Sequence, residues 1–195
     1  MAPIDFFFDL ASPYSYLAAT QLAGVEQRTG ALVRLCPITL GGLRKSLGTQ
    51  MPSAAQLAYM GTDISRWAAK YGVPMQVPRS FPSSTIKALR ACLAAGRLGK
   101  GREAMLALFR AHWAEDQDLN DPAVIRSALD RAGLDGAALL ARTEEPEIKD
   151  ELKKNTELAL SRGVFGVPMF FVGEQAFWGN DRLEFVEAAL REEKP

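Results

Sequence analysis

The segment IDFFFDLASPYSYLA, residues 4–18, contains the two kinds of regular structure on which the fold depends. Ile4–Leu10 is a run rich in aromatic and branched residues, which is typical of a buried β-strand. After this run the apolar residues recur at helical spacing, beginning with Leu17. Ser12 suits the N-cap of that helix, and Pro13 suits its first turn, where a missing N–H costs no hydrogen bond. We therefore predict a strand followed at once by a helix.

A second strand follows the first helix. The helical pattern stops at Gly30, a residue type favoured just beyond helix C-termini. Ala31–Ile38 then has an extended pattern, which we expect to stop at Gly41 and Gly42. The first forty residues therefore predict a βαβ unit, whose crossover should be right-handed.

The end of the chain has a β-hairpin pattern. Met169–Val172 and Gln175–Trp178 are apolar runs separated by a two-residue turn. A last helix is expected to begin at Asn180 or Asp181. Glu184 lies three residues after Asp181, the spacing of a capping box.

The middle of the chain has only helical patterns. They predict helices at about 57–72, 86–93 (begun by Ser83 or Ser84), 105–113, 122–133, 137–141 and 146–163. Neither terminal unit alone can bury both faces of its strands, so the two must share a sheet. We predict an α/β fold with a discontinuous domain of residues 1–42 and 163–195. Residues 43–162 then form an inserted all-helical domain.

Composition excludes several classes of function. The chain has 23 Lys and Arg against 23 Asp and Glu, so no net positive charge attracts nucleic acid or an anionic membrane. No apolar run approaches the roughly 20 residues that span a bilayer, and no export signal is recognisable. Cys36 and Cys92 form neither a CxxC pair nor a metal-ligand spacing. We expect a cytoplasmic protein without metal, acting on small molecules.

Three local strings could carry chemistry, and each also has a simpler structural interpretation. Ser12 places a hydroxyl at a helix N-terminus, where partial positive charge favours an anion or thiolate, but it could serve only as an N-cap. A cis bond between Val167 and Pro168 would leave the Val167 N–H and C=O free to pair with an extended peptide, whereas a trans bond at a sheet edge is commoner. Trp178–Asp181 could be a plain helix start. Local spacing leaves these alternatives open.

Taken together, the strings resemble a known family. The early strand, the SPYS sequence at a helix start, the helical insertion and GVFGVP before a hairpin resemble the DsbA-like branch of the thioredoxin superfamily. More narrowly, the chain resembles 2-hydroxychromene-2-carboxylate isomerases, with kappa-class glutathione transferases next. The strings that carry this narrower resemblance are residues 8–18, 40–42, 81–82 with 88–90, and 177–183.

This resemblance implies a thioredoxin-like sheet and a glutathione site. Ser12 would hydrogen-bond the glutathione sulfur, and Val167, before a cis Pro168, would pair with the cysteinyl backbone. Asn180 and Asp181 would hold the γ-glutamyl end, whose ammonium suits the Asp181 carboxylate. Trp178 would lie beside them.

A pocket for a small aromatic substrate is expected between the sheet and the insert. Tyr14 and Phe81 would contribute aromatic surface, and Arg44 or Lys45 a positive charge. Two positions depart from the family pattern as we know it: Thr49 and Gln56 stand where Asn and Lys are expected. In the family, the residues at these two positions would ordinarily contact the glycyl end of glutathione or the substrate carboxylate.

The resemblance implies a glutathione-dependent isomerase that interconverts 2-hydroxychromene-2-carboxylate and trans-o-hydroxybenzylidenepyruvate in aromatic catabolism, acting as a homodimer. A kappa-like glutathione transferase that conjugates aromatic electrophiles is the alternative enzyme. A thioredoxin-like binding module without redox chemistry is the alternative of another class. Disulfide exchange is the least favoured function, because Ser12 and Ser15 cannot form a disulfide.

Overall fold

The structure, a computed structural model, describes residues 3–50 and 52–192. Its elements are β1 (Ile4–Phe8), α1 (Pro13–Thr29), β2 (Val33–Pro37), α2 (Leu40–Leu47), α3 (Ala54–Tyr71), α4 (Ile86–Gly96), α5 (Gly101–Trp113), α6 (Pro122–Arg131), α7 (Gly136–Arg142), α8 (Pro146–Ser161), β3 (Met169–Val172), β4 (Gln175–Trp178) and α9 (Leu183–Glu192), with a 3-10 turn at Asn180–Arg182 before α9. Among these described elements, none of the helices is long and apolar enough to cross a membrane.

The four strands form one mixed sheet in the order β2-β1-β3-β4. Strand β1 is parallel to β2 and antiparallel to β3, and β3 and β4 form the C-terminal hairpin. In this register Phe6 lies opposite Leu35 on one side and Phe170 on the other. The prediction that the two terminal units share a sheet, in an α/β thioredoxin-like fold, is confirmed.

The ends of α1 are the predicted ones. The Ser12 hydroxyl accepts a hydrogen bond from the Ser15 N–H, and Pro13 occupies the first helical position. At the other end, Gly30 has φ +76, in the left-handed region that residues with a Cβ rarely adopt. Short-range chemistry therefore decides where this helix begins and ends.

The prediction that the second strand stops at Gly41 and Gly42 was wrong. Strand β2 ends at Pro37, and both glycines lie inside α2, which begins at Leu40. The Leu40 N–H donates to the buried Asp9 carboxylate at 2.6 Å, and this tertiary contact holds the start of α2. The proposed domain limit after residue 42 consequently falls inside a helix.

Two predicted helix starts were also wrong. Helix α4 begins at Ile86 rather than at Ser83 or Ser84, and Thr85 precedes it. The Thr85 hydroxyl donates to Asp9 instead of capping α4.

At the C-terminal end, a 3-10 turn comes before α9, and Asp181 pairs with the neighbouring Arg182. The capping box expected between Asp181 and Glu184 therefore does not begin the helix.

The main core joins the sheet to the insert. Phe6 is fully buried and stacks on Phe8 and Phe170, with ring centroids 5.2 and 5.0 Å away. The ring of Phe8 packs against that of Phe109 in α5, and the Trp113 indole N–H donates to the Leu10 carbonyl at 2.8 Å. The sheet and the insert therefore share one apolar core.

Helix α3 is packed differently from the rest of the insert. It contacts α1 through a separate small cluster, in which Leu17 meets Ile64 and Ala68. Of the 18 residues of α3, only Ile64 and Ala68 are buried. Most of α3 therefore faces solvent or the site described below.

Replacing Phe6 with alanine should lower the free energy of unfolding by about 3–5 kcal/mol, because a cavity replaces a fully buried ring. Phe185→Ala removes the same ring from a residue that is 58% exposed, and should change the free energy by about 0.5 kcal/mol or less. Urea denaturation of both variants measures the difference. Equal losses would contradict the assignment of Phe6 to the core.

Candidate functional site

Ser12 and Val167 meet at the centre of the candidate site, although 155 positions separate them in the sequence. The Ser12 hydroxyl donates a hydrogen bond to the Val167 carbonyl at 3.1 Å, and its oxygen accepts one from the Ser15 N–H at 3.2 Å. Both residues are buried, with 4% and 7% of their surfaces exposed. The two residues predicted to contact a cysteinyl unit therefore lie side by side.

The Val167–Pro168 peptide bond is cis. The expectation that both backbone groups of Val167 are free was wrong for the carbonyl, because Ser12 donates to it. Within the described residues, no hydrogen bond donated by the Val167 N–H is found. The Pro168 carbonyl accepts from the Gly179 N–H at 3.0 Å, which joins this segment to the end of β4.

Asn180 forms hydrogen bonds with Tyr71, the last residue of α3. The Tyr71 hydroxyl donates to the Asn180 carbonyl at 2.9 Å, and the Asn180 amide donates to the Tyr71 oxygen at 3.5 Å. Asn180 is only 2% exposed. Burial raises the pKa of Tyr71, so this phenol stays protonated and keeps its donor. Sequence patterns had not indicated Tyr71.

Asp181 is an accessible acid at the candidate site. Its side chain is 35% exposed and pairs with Arg182. Burial is the largest cause of the raised pKa of Tyr14 and of Tyr71, and the negative charge of Asp181 contributes to both rises. Asp181 is therefore close to both tyrosines, where it can attract a positively charged group.

Tyr14 connects the start of α1 to α3. Its hydroxyl donates to the Asp63 carboxylate at 2.9 Å. Burial, followed by this hydrogen bond and the Asp63 charge, raises the pKa of Tyr14 well above its usual value. The phenol is thus a fixed donor two residues from Ser12, and α3 covers this side of the site.

Trp178 lies next to the segment that precedes Val167. It is 54% exposed and packs edge-on against Phe165, with ring centroids 4.9 Å apart. A Cβ on Gly166 would lie 3.0 Å from the indole nitrogen, so glycine permits the close approach of the tryptophan. An exposed aromatic surface consequently borders the candidate site.

Phe81, Arg44 and Lys45 were also predicted to contact the substrate. Phe81 packs on Trp113, with ring centroids 5.7 Å apart, and contributes to the main core. Lys45 is exposed on α2, while the positive charge of Arg44 lies near enough to Asp9 to favour its ionised form. The hydrogen bonds and ring contacts of the described residues do not join Phe81 or Lys45 to Ser12.

Gln56, which stands where the family pattern led us to expect a lysine, has a local role. Its side-chain oxygen accepts from the Ser53 N–H at 2.8 Å, while the Ser53 oxygen accepts from the Gln56 N–H at 3.3 Å. This capping box begins α3. The residue is therefore used to start the helix that covers the site.

A buried carboxylate that the sequence analysis had not singled out holds the site together. Asp9 is 3% exposed, and it accepts hydrogen bonds from the Ala11 N–H (2.9 Å), the Leu40 N–H (2.6 Å) and the Thr85 hydroxyl (2.6 Å). Its carbonyl also accepts from the Ser12 N–H at 3.0 Å. Burial raises the pKa of Asp9, and the three donors partly oppose that rise.

The protein's own thiols are poor nucleophiles. Burial raises the pKa of Cys36 to about 11, and it raises that of Cys92 further. Both cysteines are buried and free. In the part of the chain that the structure describes, no group of three His, Cys, Asp or Glu could hold a metal ion. Thiol chemistry at this site therefore needs a thiol from outside the chain.

Comparison with known proteins identifies the family of the chain. A family model described as a DSBA-like thioredoxin domain matches residues 3–191. The chain is 37% identical over 191 residues to the 2-hydroxychromene-2-carboxylate isomerase of Sphingobium xenophagum, covering 96% of this chain and 97% of the relative. It is 26% identical to human glutathione S-transferase kappa 1, covering 97% and 91% of the two chains.

The solved structures give the same result. A 2-hydroxychromene-2-carboxylate isomerase structure is 30% identical and superimposes with a TM-score of 0.85, covering 97% of this chain and 94% of that one. A probable DsbA oxidoreductase from Streptomyces coelicolor, at 20% identity, superimposes with a TM-score of 0.80 over 98% of this chain and 89% of the other, which shows a shared fold.

Asp9 should make stability depend on pH. The pKa of Asp9 is higher in the folded than in the unfolded state, so between the ordinary value of 3.8 and the folded pKa the folded state keeps a proton that the unfolded state loses. The free energy of unfolding, measured relative to Asp9→Asn, should fall as pH rises through the pKa of the folded carboxyl.

Thr85→Val removes one donor that lowers the Asp9 pKa. In this variant the fall in the free energy of unfolding should therefore extend to higher pH. Urea denaturation across acid and neutral pH measures both. A difference between wild type and Asp9→Asn that does not vary with pH would contradict the assignment.

Proposed function

The chain belongs to the 2-hydroxychromene-2-carboxylate isomerase family of DSBA-like thioredoxin domains, and from this we propose a glutathione-dependent enzyme with that family's reaction. It interconverts 2-hydroxychromene-2-carboxylate and trans-o-hydroxybenzylidenepyruvate by reversible addition of the glutathione thiolate. The observation that carries the proposal is the contact of the Ser12 hydroxyl with the Val167 carbonyl at a helix N-terminus. Ser12 and Val167 offer a sulfur contact and a backbone contact to one cysteinyl unit.

The chain's own cysteines support the choice of an external thiol. Cys36 and Cys92 are buried with raised pKa values, and Ser12 and Ser15 cannot form a disulfide. A nucleophilic sulfur must therefore arrive with a small molecule. Glutathione is the proposed source, because kappa-class glutathione transferases are among the relatives.

The cysteinyl unit and the γ-glutamyl end of glutathione each have a matching group in the site. The cysteinyl amide would pair with the Val167 backbone in the manner of an added strand. The exposed Asp181 carboxylate suits the γ-glutamyl ammonium, and the N–H groups that begin the Asn180–Arg182 turn suit its carboxylate. Tyr71 holds Asn180 in position from α3.

The site can stabilise a thiolate by two effects. A free thiol has a pKa of about 8.5, and lowering it by about 1.5 units requires about 2 kcal/mol. The N-terminus of α1 supplies partial positive charge, and the Ser12 hydroxyl supplies one donor. Together these effects account for a thiolate at neutral pH.

The reaction needs a nucleophile that can leave again. The chromene is a cyclic hemiketal, so its ring C–O bond first breaks, with the hydroxyl proton passing to the phenol oxygen, and this opening gives the cis enone. Rotation about the carbon–carbon double bond of the enone is blocked, but addition of a thiolate makes that bond single and moves the electron pair to the carbonyl oxygen as an enolate. Rotation follows, and the returning electron pair expels the thiolate and restores the alkene. Glutathione is regenerated, so the reaction is an isomerisation.

A kappa-like glutathione transferase is the second candidate, on the similarity to human glutathione S-transferase kappa 1. The two differ in the fate of glutathione. We expect the purified protein to convert 2-hydroxychromene-2-carboxylate only when glutathione is present, with the glutathione concentration unchanged at the end. Stoichiometric loss of glutathione to an aromatic electrophile, without isomerisation, would favour the transferase. Turnover of neither substrate would favour a binding module.

Ser12→Ala should lower kcat by about 10 to 1,000-fold, the usual effect of losing one donor to a developing anion. Much of the glutathione affinity should remain at neutral pH, because the Val167 and Asp181 contacts persist. Steady-state kinetics and calorimetry measure the two quantities. An unchanged kcat would remove Ser12 from the mechanism.

Asp181→Ala should weaken glutathione binding by about 10-fold or more, because a charge-assisted hydrogen bond to the γ-glutamyl ammonium is lost. Asp150→Ala removes an exposed carboxylate from α8 and serves as the control. Calorimetric titration of both variants measures the affinity. If Asp181→Ala binds as tightly as Asp150→Ala, the γ-glutamyl assignment is wrong.

A further inference from the structure

We infer that the cysteinyl amide N–H of glutathione releases the Ser12 hydroxyl from the Val167 carbonyl, so that only thiols carrying such an N–H are activated. This inference rests on the proposed function and goes further, since it defines the chemical class of the cofactor as an N-acylated cysteine.

The Ser12 hydroxyl has one proton, and two groups could accept it in a hydrogen bond. In this structure the proton is donated to the Val167 carbonyl at 3.1 Å. Stabilising a thiolate requires the same proton to point at sulfur. The Val167 carbonyl and the cofactor sulfur therefore compete for a single donor.

The Val167 carbonyl is a strong competitor. It belongs to a residue that is 7% exposed, and a buried carbonyl left without a donor costs free energy comparable to a lost hydrogen bond. A thiol that brought no donor of its own would have to leave this carbonyl unpaired in order to use Ser12. A thiol with a backbone N–H in the strand-addition position supplies the replacement donor.

The exchange requires little movement. The Ser12 oxygen accepts the Ser15 N–H at 3.2 Å, and this contact holds the oxygen at the start of α1 while the proton changes direction. Rotation about the Cβ–Oγ bond of Ser12 moves only a hydrogen. The accepted N–H also polarises the hydroxyl and makes it a better donor.

Ser15 provides a matched control. Its own hydroxyl is fully buried and has no hydrogen-bond partner among the described residues. Ser15→Ala removes the same oxygen atom one turn further along α1, while the backbone N–H that contacts Ser12 remains. Ser15→Ala should therefore behave like the wild type in both experiments below.

The first experiment compares glutathione with its analogue methylated on the cysteinyl nitrogen, each at saturating concentration. Thiolate absorbance in the ultraviolet, measured against pH, gives the pKa of the bound thiol. We expect glutathione bound to the wild-type protein to titrate about one unit or more below the free thiol, and the methylated peptide to titrate near its free value of about 8.5. Equal lowering of the two pKa values would overturn the inference.

The second experiment does not depend on the methylated peptide. At a pH well below that of thiol ionisation, Ser12→Ala leaves the Val167 carbonyl without its internal donor, so glutathione no longer has to displace one. Glutathione should then bind Ser12→Ala about 3 to 10-fold more tightly than the wild type, the worth of one net hydrogen bond. Calorimetry showing equal or weaker binding would overturn the inference.

These outcomes are separable from those that test the function. Failure of glutathione to bind the wild-type protein contradicts the proposed function itself, and with it the exchange. Binding and isomerisation with glutathione, together with equal thiol pKa values for the two peptides, keep the function and overturn only the exchange.

Discussion

The buried carboxylate of Asp9 joins the three segments on which the site depends. It ties the loop before Ser12 to the first residue of α2 and to the residue before α4. A carboxylate so deeply buried is unfavourable unless donors surround it, and here two backbone N–H groups and one hydroxyl do so. The position of Ser12 relative to the insert is therefore held by polar contacts that water cannot easily replace.

The helices of the insert contact the rest of the protein in two different ways. Helices α4 and α5 share the main core with the sheet, and Trp113 extends that core to the carbonyl of Leu10. Helix α3 instead lies over the site on a small separate cluster, and reaches it through Tyr14 and Tyr71. One part of the insert thus shares the main core, and the other covers the candidate site.

Much of the architecture could be predicted because it follows from short-range chemistry. The aromatic run of β1, Ser12 and Pro13 at the start of α1 and the β3–β4 hairpin have local signals of burial, capping and turn formation. The failures at Leu40 and Thr85 have a common cause. Both positions are held by Asp9, and a contact across 31 or 76 residues leaves no trace in a local pattern.

The order of residue types along the chain was enough to identify the family and to propose Ser12, Val167 and Asp181 as site residues, since a motif consists of residues in sequence order. The hydrogen bond from Ser12 to Val167, the support of Asn180 by Tyr71 and the gathering of donors on Asp9 belong to the tertiary structure alone. Each joins groups whose chemistry is ordinary in isolation. The tertiary structure packs these groups together away from water, where a single proton or charge has few alternative partners.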